Sequence, residues 1–351
     1  MSNITCVEGA ETCCGRRHEA SGAVRKATSR LGWRDILGGW GVRWGVHRMR
    51  YRVEPGLYAI GEPTPDSPVF VTANYKLTFD LVRRELEGIQ AWLLVLDTHG
   101  VNVWCAAGKG TFSTAELVRR LAETQLERHV RHRTLILPQL GATGVSGHEI
   151  SAQTGWDVVW GPVLARDIPA FLANGSKKTE SMRVISFDLY DRAVLAPVET
   201  VHAFKWFVVF LLAVAVLSLP FDAAYLSRFL GMGLLATASF LAGTIAFPLL
   251  LPFLPFRAFA LKGLTLGLVA NLSAAILVVT TLGTPIVLLV AAEMSGTALV
   301  IWLAMNFTGC TTFTSQTGAA LELKLAWKPL LVLAGAGLVL AVAVLVSNLL
   351  W

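Results

Sequence analysis

Two hydropathy regimes divide this chain. Between about residues 53 and 201, short apolar runs alternate with amphipathic stretches. The runs at 57–60, 69–72, 91–96, 134–137, 157–160 and 183–190 have the length and side-chain content of strands. Helical periodicity separates many of them, at 77–86, 114–130, 147–154 and near 168–172. In the helix opened by Ser113-x-x-Glu116, a capping box, Leu117, Val118 and Leu121 share one face. Arg119, Arg120 and Glu123 turn away from it. Strands alternating with helices predict a mainly parallel, doubly wound sheet whose ligands bind beyond the carboxyl ends of its strands.

After His202 the pattern changes. From Ala203 onward the charged residues are Lys205, Asp222, Arg228, Arg257, Lys262, Glu293, Glu322, Lys324 and Lys328. Five apolar spans are expected at 203–219, 231–254, 260–281, 284–306 and 329–350, most of them near the ~20 residues that cross a bilayer. The predicted organisation is a basic N-terminal segment (1–52), a soluble domain (53–202) and a transmembrane domain (203–351). The loops with Arg257 and Lys262, and with Lys324 and Lys328, alternate with loops of little charge. The positive-inside rule then puts the soluble domain in the cytoplasm of a multi-pass inner-membrane protein, with Trp351 outside. The opening residues lack a charged-then-apolar signal pattern, in keeping with that orientation.

Composition sharpens this reading. A mean hydropathy of +0.56 over 351 residues is too high for an ordinary soluble enzyme. Much of the basic excess behind the net charge of +6 lies between Arg16 and Arg52, among Trp33, Trp40 and Trp44. Beside a membrane, that mixture points to an interfacial or packing segment and membrane lipid rather than nucleic acid. The five cysteines, Cys6, Cys13, Cys14, Cys105 and Cys310, are odd in number and scattered, which argues against a disulfide framework.

The run Asn102-Val-Trp-Cys-Ala-Ala-Gly-Lys109 carries the chemistry. It puts Cys105 at a strand-to-helix junction, where open N–H groups favour a thiolate. Gly108 and Gly110 allow close backbone approach by a bulky ligand. A free cysteine is otherwise a small buried hydrophobe. No second Cys or His cluster lies at zinc spacing, and Gly108-Lys109-Gly110 lacks the flanking residues of a phosphate loop. The loop Leu137-Pro-Gln-Leu-Gly-Ala-Thr-Gly144 follows another strand and shares the same expected rim.

The Asn102–Lys109 run resembles the cobalt-ligand motif of the mercury-methylating corrinoid proteins, relatives of the corrinoid iron–sulfur subunits of acetyl-CoA synthesis. Further similar stretches follow in the same order: Pro55–Gly61 with Pro68–Lys76, Leu135–Gly141 with Gly144–His148, Val159–Pro162 with Asp167–Phe171, and Phe307–Ser315. The resemblance covers about residues 30–351, while Cys13-Cys14 departs from it. It implies an α/β Rossmann-like corrinoid-binding domain followed by an all-α transmembrane domain of five helices. It implies a methyltransferase that passes a methyl group from a Cys105-ligated methylcobalt corrinoid (cobalamin) to Hg(II), giving methylmercury. The methyl donor it implies is methyltetrahydrofolate-linked, and iron–sulfur clusters belong to a ferredoxin-like partner with two [4Fe–4S] clusters. A thiolate below the metal raises electron density there, which suits transfer to an electrophile such as Hg(II).

The remaining candidates around the corrinoid are Thr72, Asn74, Thr98, Asn102, Val103, Trp104, Ala106, Ala107, Gly108, Lys109, Gly110, Thr111, Gln139, Leu140, Gly141 and Ala142. Asn74, Thr98, Asn102, Lys109 and Thr111 have groups for corrin amides or a tail phosphate, and each equally suits a turn or cap. Trp104 is either a shield for the cobalt–sulfur bond or a core indole. Cys310 is a candidate Hg(II) ligand, as is Cys13-Cys14 at an accessory site. Glu293 lies inside a span and is a functional candidate, with pairing to a polar neighbour such as Asn271 as its structural alternative. Two other classes remain open: a membrane-bound corrinoid methyl carrier of one-carbon metabolism, and a transporter with a soluble regulatory domain.

Overall fold

The computed structural model describes residues 24–219, 222–310, 313–314 and 316–350. From the amino end the elements are β1 (Arg25–Ala27), α1 (Trp33–Arg43), β2 (Gly56–Ile60), β3 (Val69–Ala73), α2 (Lys76–Glu85), β4 (Ala91–Leu96), α3 (Val103–Gly108) and α4 (Thr114–Thr124). Then come β5 (Thr134–Leu137), α5 (Gly147–Thr154), β6 (Asp157–Trp160) and α6 (Ile168–Ala173). The rest is helical: α7 (Leu189–Leu217), α8 (Tyr225–Leu241), α9 (Phe247–Leu250), α10 (Phe259–Leu282), α11 (Ile286–Asn306) and α12 (Gln316–Leu350). These elements divide between two compact units, residues 24–32 with 49–183, and residues 33–48 with 184–350.

The first unit is built on a six-stranded sheet of order β1-β2-β4-β3-β5-β6. Every neighbouring pair is parallel except β2 with β4. The exception follows from chain length. The connection between β2 and β3 covers only residues 61–68, too short for the crossover that a parallel return needs. Every residue of β3 and β4 is buried, as the unbroken apolar runs require of strands covered on both faces. The strand period of two then sorts side chains between two cores. Leu94, Leu96, Val71 and Leu137 pack with Ala106 of α3, Leu117 and Leu121 of α4, and Ile150 of α5. Leu93, Val95, Phe70 and Ile136 pack on the other face with Phe79 of α2 and Phe171 of α6. The result is a mixed α/β sheet between two helical layers.

Several local expectations change. Residues 183–190 are not a strand: a 3-10 turn spans Ser181–Arg183, and α7 starts at Leu189. Asp188 decides this, because its Oδ1 accepts the Asp191 N–H (3.0 Å) as a helix cap. The helix expected over 114–130 stops at Thr124, because Gln125 takes a left-handed conformation (φ 48°). Ser113 Oγ caps α4 by accepting from Glu116 N–H (3.3 Å). The Glu116 carboxylate does not return to Ser113 as a capping box would; its Oε1 accepts from Asp97 N–H (2.8 Å) beyond β4.

In the second unit, five helices are long and apolar enough to cross a membrane: Leu189–Leu217, Tyr225–Leu250, Phe259–Leu282, Ile286–Asn306 and Thr317–Leu350. The second of these runs from α8 through a π-helical turn, Ala242–Ala246, into α9. Small residues bring α10 and α11 close, as is usual between membrane helices. A Cβ at Gly263 would stand 2.8 Å from Ala304 Cβ, and one at Gly267 would stand 3.1 Å from Thr297. The tryptophan-rich segment between β1 and β2 forms α1, which buries Gly39 and Val42 and leaves Trp33, Ile36, Leu37 and Trp40 exposed.

Candidate functional site

The site starts at the carboxyl end of the sheet. From β3 the chain turns to β4 on one side, while β5 pairs with the other edge of β3. The connections leaving β3 and β5 therefore diverge, which opens a crevice between their carboxyl ends. An open cavity of about 290 Å³ occupies this place. Thr72 of β3, Pro138 after β5 and Gly161 after β6 line it together with Leu81 and Val82 of α2. Asn102, Val103 and Trp104, at the start of α3, form another part of the wall.

Cys105 follows directly on these wall residues, and its thiol is free and exposed. Asn102 caps α3, its Oδ1 accepting the Cys105 N–H at 2.9 Å. The cap fixes the backbone that carries the thiol. Behind it, Val103, Ala106 and Ala107 are buried in the sheet core. The inward face of this short helix is thus held by packing, and its outward face presents Trp104 and Cys105 to solvent.

Asn74, after β3, organises the loop leading to α3. Its Oδ1 accepts the N–H groups of Thr98 and Gly100, both at 3.0 Å, and its Nδ2 donates to Asp97 Oδ1 at 2.9 Å. The Thr98 hydroxyl is within reach of both Asn74 Oδ1 (2.9 Å) and Val101 O (2.6 Å). His99 and Gly100 take positive φ (57° and 76°), the tight reversal that this stapling holds. Burial pushes the Asp97 carboxyl up. The His99 N–H and ring, the Asn74 amide and Arg120 together outweigh it and hold Asp97 below the ordinary value.

The cavity brings together Thr72, Asn102, Val103, Trp104 and Leu140 of the expected set. Asn74 and Thr98 lie behind it in the loop staple. Ala106 and Ala107 are core residues. Gly108 and Lys109 are exposed at the end of α3, where Lys109 is the C-cap. Gly110 and Thr111 border a separate shallow hollow with Asp97, His99 and Arg119. Gln139 and Gly141 form a 3-10 turn after β5, and Ala142 follows it, exposed. Gly141 and Gly144 have packing roles here: a Cβ at Gly141 would meet the Phe112 ring at 2.5 Å, and one at Gly144 would overlap the Phe112 carbonyl oxygen. Cys6, Cys13, Cys14 and the Cys310 side chain lie outside the described residues.

Other contributors were not singled out as site residues. Leu81 and Val82 read as the apolar face of an ordinary helix; Gly161 and Pro162 end the Val159–Pro162 stretch, and their position after β6 was a further signal. Lys178 donates from Nζ to Gln139 Oε1. Burial lowers its ammonium below the ordinary lysine value, and the charge on Arg183 adds to this.

The cavity and thiol also allow a test of fit for a corrinoid. Thr72 Oγ1 is buried with no hydrogen-bond partner. It belongs to a residue that lines the cavity, so an unmet polar atom is available to a ligand there. A soft, exposed thiol stands at the same rim on a rigid, capped turn. An apolar wall with few polar groups, open to solvent on one side, suits a large organic ring better than a small ion. Among the described residues no cluster of three or more His, Cys, Asp or Glu side chains could hold a metal ion alone. One free thiol beside an apolar cavity with an unmet hydroxyl is a set of groups that fits a corrinoid.

Residues 47–172 match the family described as CO dehydrogenase/acetyl-CoA synthase delta subunit. The stretch is similar to the acetyl-CoA decarbonylase/synthase complex subunit gamma of Archaeoglobus fulgidus, 41% identical over 127 residues, which is 36% of this chain and 27% of that protein. The corresponding subunit of Methanopyrus kandleri is 42% identical over 122 residues, 34% of this chain and 26% of that one. The corrinoid/iron–sulfur protein large subunit of Moorella thermoacetica is 36% identical over 122 residues, 34% of this chain and 27% of that protein. The chain thus spans about a quarter of the length of these relatives. From residue 49 on, the matched residues fall in the sheet unit, without its first strand, and the five apolar helices lie outside them. The part of the chain that carries Cys105 and the cavity is similar to proteins of acetyl-CoA synthesis and decarbonylation, one of them a corrinoid/iron–sulfur protein.

Proposed function

We propose that the sheet unit is a Rossmann-like corrinoid domain in which Cys105 would ligate the cobalt, and that the protein is a membrane-bound methyltransferase with Hg(II) as acceptor. The observation that carries the reading is the free, exposed Cys105 thiol on an Asn102-capped turn, beside a cavity at the carboxyl ends of the strands. When bound, the corrinoid supplies a cobalt centre that takes up and gives up a methyl group. Cys105 would hold the cobalt through its sulfur and donate electron density to it. A corrinoid held through a donating sulfur would supply its methyl group in the form that an electrophile such as Hg(II) accepts. Asn102 holds the Cys105 backbone, Val103 and Leu140 give the ring an apolar seat, and Thr72 Oγ1 offers a hydrogen bond. Trp104, at the rim next to Cys105, would shield a cobalt–sulfur bond from water once the group is bound.

The similarity to acetyl-CoA synthase and corrinoid/iron–sulfur subunits favours a second reading, a corrinoid methyl carrier of one-carbon metabolism. The choice of Hg(II) rests on the narrower likeness of Asn102–Lys109 to the mercury-methylating proteins. Electrons in either reading come from a ferredoxin-like partner with two [4Fe–4S] clusters, and the methyl group from a methyltetrahydrofolate-linked donor. The five helices long and apolar enough to cross a membrane support a multi-pass membrane protein, and the basic loops at Arg257–Lys262 and Lys324–Lys328 favour a cytoplasmic side for the sheet unit. The test is anaerobic purification of the full chain with a methylated corrinoid, followed by methyl transfer to Hg(II), a thiol and a folate in parallel. Methylmercury formation that depends on Cys105 supports the proposal. Transfer to thiol or folate but not to Hg(II) supports the second reading, and failure to load any corrinoid supports a transporter.

A further inference from the structure

A polar chain crosses the middle of the helical unit. The Ser239 hydroxyl of α8 is within hydrogen-bond reach of both Asn271 Oδ1 of α10 (2.7 Å) and Leu235 O of its own helix (2.8 Å). Asn271 Nδ2 donates to Thr297 Oγ1 of α11 at 3.3 Å, and Thr297 Oγ1 donates to Glu293 Oε1 at 3.1 Å. Ser239, Asn271 and Thr297 are buried. The chain ends at Glu293 Oε2, which is buried and has no hydrogen-bond partner. Space for this contact exists because residue 296 is glycine: a Cβ there would overlap Ser239 Oγ and stand 3.0 Å from Asn271 Nδ2. The π-helical turn Ala242–Ala246 begins three residues after Ser239, a departure from α-geometry that is frequent at functional sites.

The placement limits what Glu293 can bind. It is the eighth residue of α11, about 10 Å along the helix from its start. On the elements packed against α11 the ionisable side chains among the described ones are Tyr225, Arg228, Lys262, Glu322, Lys324 and Lys328. Arg228 pairs with Asp222 at one end of α8, and Lys262 donates to the carbonyls of Leu251 and Leu254. Glu322 accepts from Ala260 N–H, and Lys328 lies over the Trp327 ring. Among the described residues no ion pair reaches Glu293. A cation cage needs six or more oxygen donors. Here the other side-chain oxygens already have partners, and Oε2 is the unmet one. A bare carboxylate at this depth would carry an uncompensated buried charge, whereas one added proton removes it.

We propose that Glu293 is an intramembrane proton-binding site. Oε2 takes up and releases the proton, while Oε1 stays tethered through Thr297 and Asn271 to Ser239. Proton occupancy is thereby linked to the packing of α8, α10 and α11, because a deprotonated Oε2 must draw in water or a new donor between these helices. This assigns the helical unit a proton-coupled role separate from the thiol chemistry of the sheet unit.

The test uses the full chain in neutral-lipid vesicles and dicyclohexylcarbodiimide, which enters bilayers and reacts with protonated carboxyls. Peptide mass spectrometry should find the label on Glu293, lost in Glu293→Gln. Labelling should fall about tenfold for each pH unit above its midpoint, as a single proton requires. An infrared difference spectrum between wild type and Glu293→Gln should contain a carboxylic-acid carbonyl band that disappears over the same pH range. An unlabelled Glu293 at every pH in protein of native hydrodynamic size would overturn the proposal. A carbonyl band or label that does not change with pH would do the same, since the proton would then be fixed. Equal corrinoid loading by wild type and Glu293→Gln keeps this outcome independent of the Cys105 reading.

Discussion

Asn74→Ala probes how the chain presents Cys105. Asn74 is buried, and its side chain meets the N–H groups of Thr98 and Gly100 and one oxygen of Asp97. Alanine leaves two buried backbone donors unmet, each costing about 1–3 kcal/mol. The expected loss is about 2–5 kcal/mol, a large share of the ~5–15 kcal/mol that holds a typical domain together. For a unit of this size that corresponds to a fall in Tm of about 5–20 °C. Thermal unfolding of the detergent-solubilised full chain by tryptophan fluorescence reads the magnitude. Hydrogen exchange of a peptide covering residues 97–107 reads the location, and protection there should be lost first. Asn74→Asp keeps the acceptor but sets a second carboxylate against Asp97, so its deficit should shrink as pH falls and the pair takes up a proton. Stability within about 0.5 kcal/mol of wild type, with unchanged exchange in 97–107, would refute the stapling argument.

Three further outcomes follow from the same geometry. Thr72→Val replaces an unpartnered buried hydroxyl, so it should leave stability unchanged or raise it by up to about 1 kcal/mol while weakening corrinoid affinity in a spectral titration; a loss of stability would mean that Oγ1 is already satisfied. Asp97 is held below its ordinary value of 3.8, so its contribution is complete above that pH and disappears as pH falls through the lower folded value; acid unfolding of Asp97→Asn should lack this component, and an unchanged profile would contradict it. Gly144→Ala drives a Cβ against the Phe112 carbonyl oxygen and to 2.9 Å from Ala107 Cα, backbone atoms that no rotamer change relieves, and should cost about 1–3 kcal/mol in the same melt.

The central strands were legible because their residues are apolar on both faces, and the runs at 91–96 and 134–137 coincide with β4 and β5 to the residue. The run at 157–160 coincides likewise with the edge strand β6. Strand β1 was not legible: Arg25-Lys-Ala27 has no apolar pattern, and its pairing with β2 depends on Arg25 and Arg83 reaching backbone carbonyls outside their own elements. The segment 183–190 misled because its apolar residues suit a strand, whereas Asp188 caps a helix that continues into the first span. At the site, the motif located Cys105 and the wall at Asn102–Trp104. It did not separate ligand-facing groups from those that brace them. Asn74 and Thr98 have the same hydrogen-bonding groups whether they face a cavity or a loop, and only their tertiary partners distinguish the two. Glu293 stood out as a charge in an apolar run, and its link to Asn271 passes through Thr297, a residue with no signal of its own.

The claim that Cys105 ligates cobalt is tested most directly by X-ray absorption at the cobalt edge of the full chain, loaded anaerobically with corrinoid. The account predicts one sulfur scatterer in the wild-type cobalt shell and none in Cys105→Ala carrying the same amount of corrinoid. A wild-type shell of nitrogen, oxygen and carbon only, with the corrinoid bound at full occupancy, would contradict it.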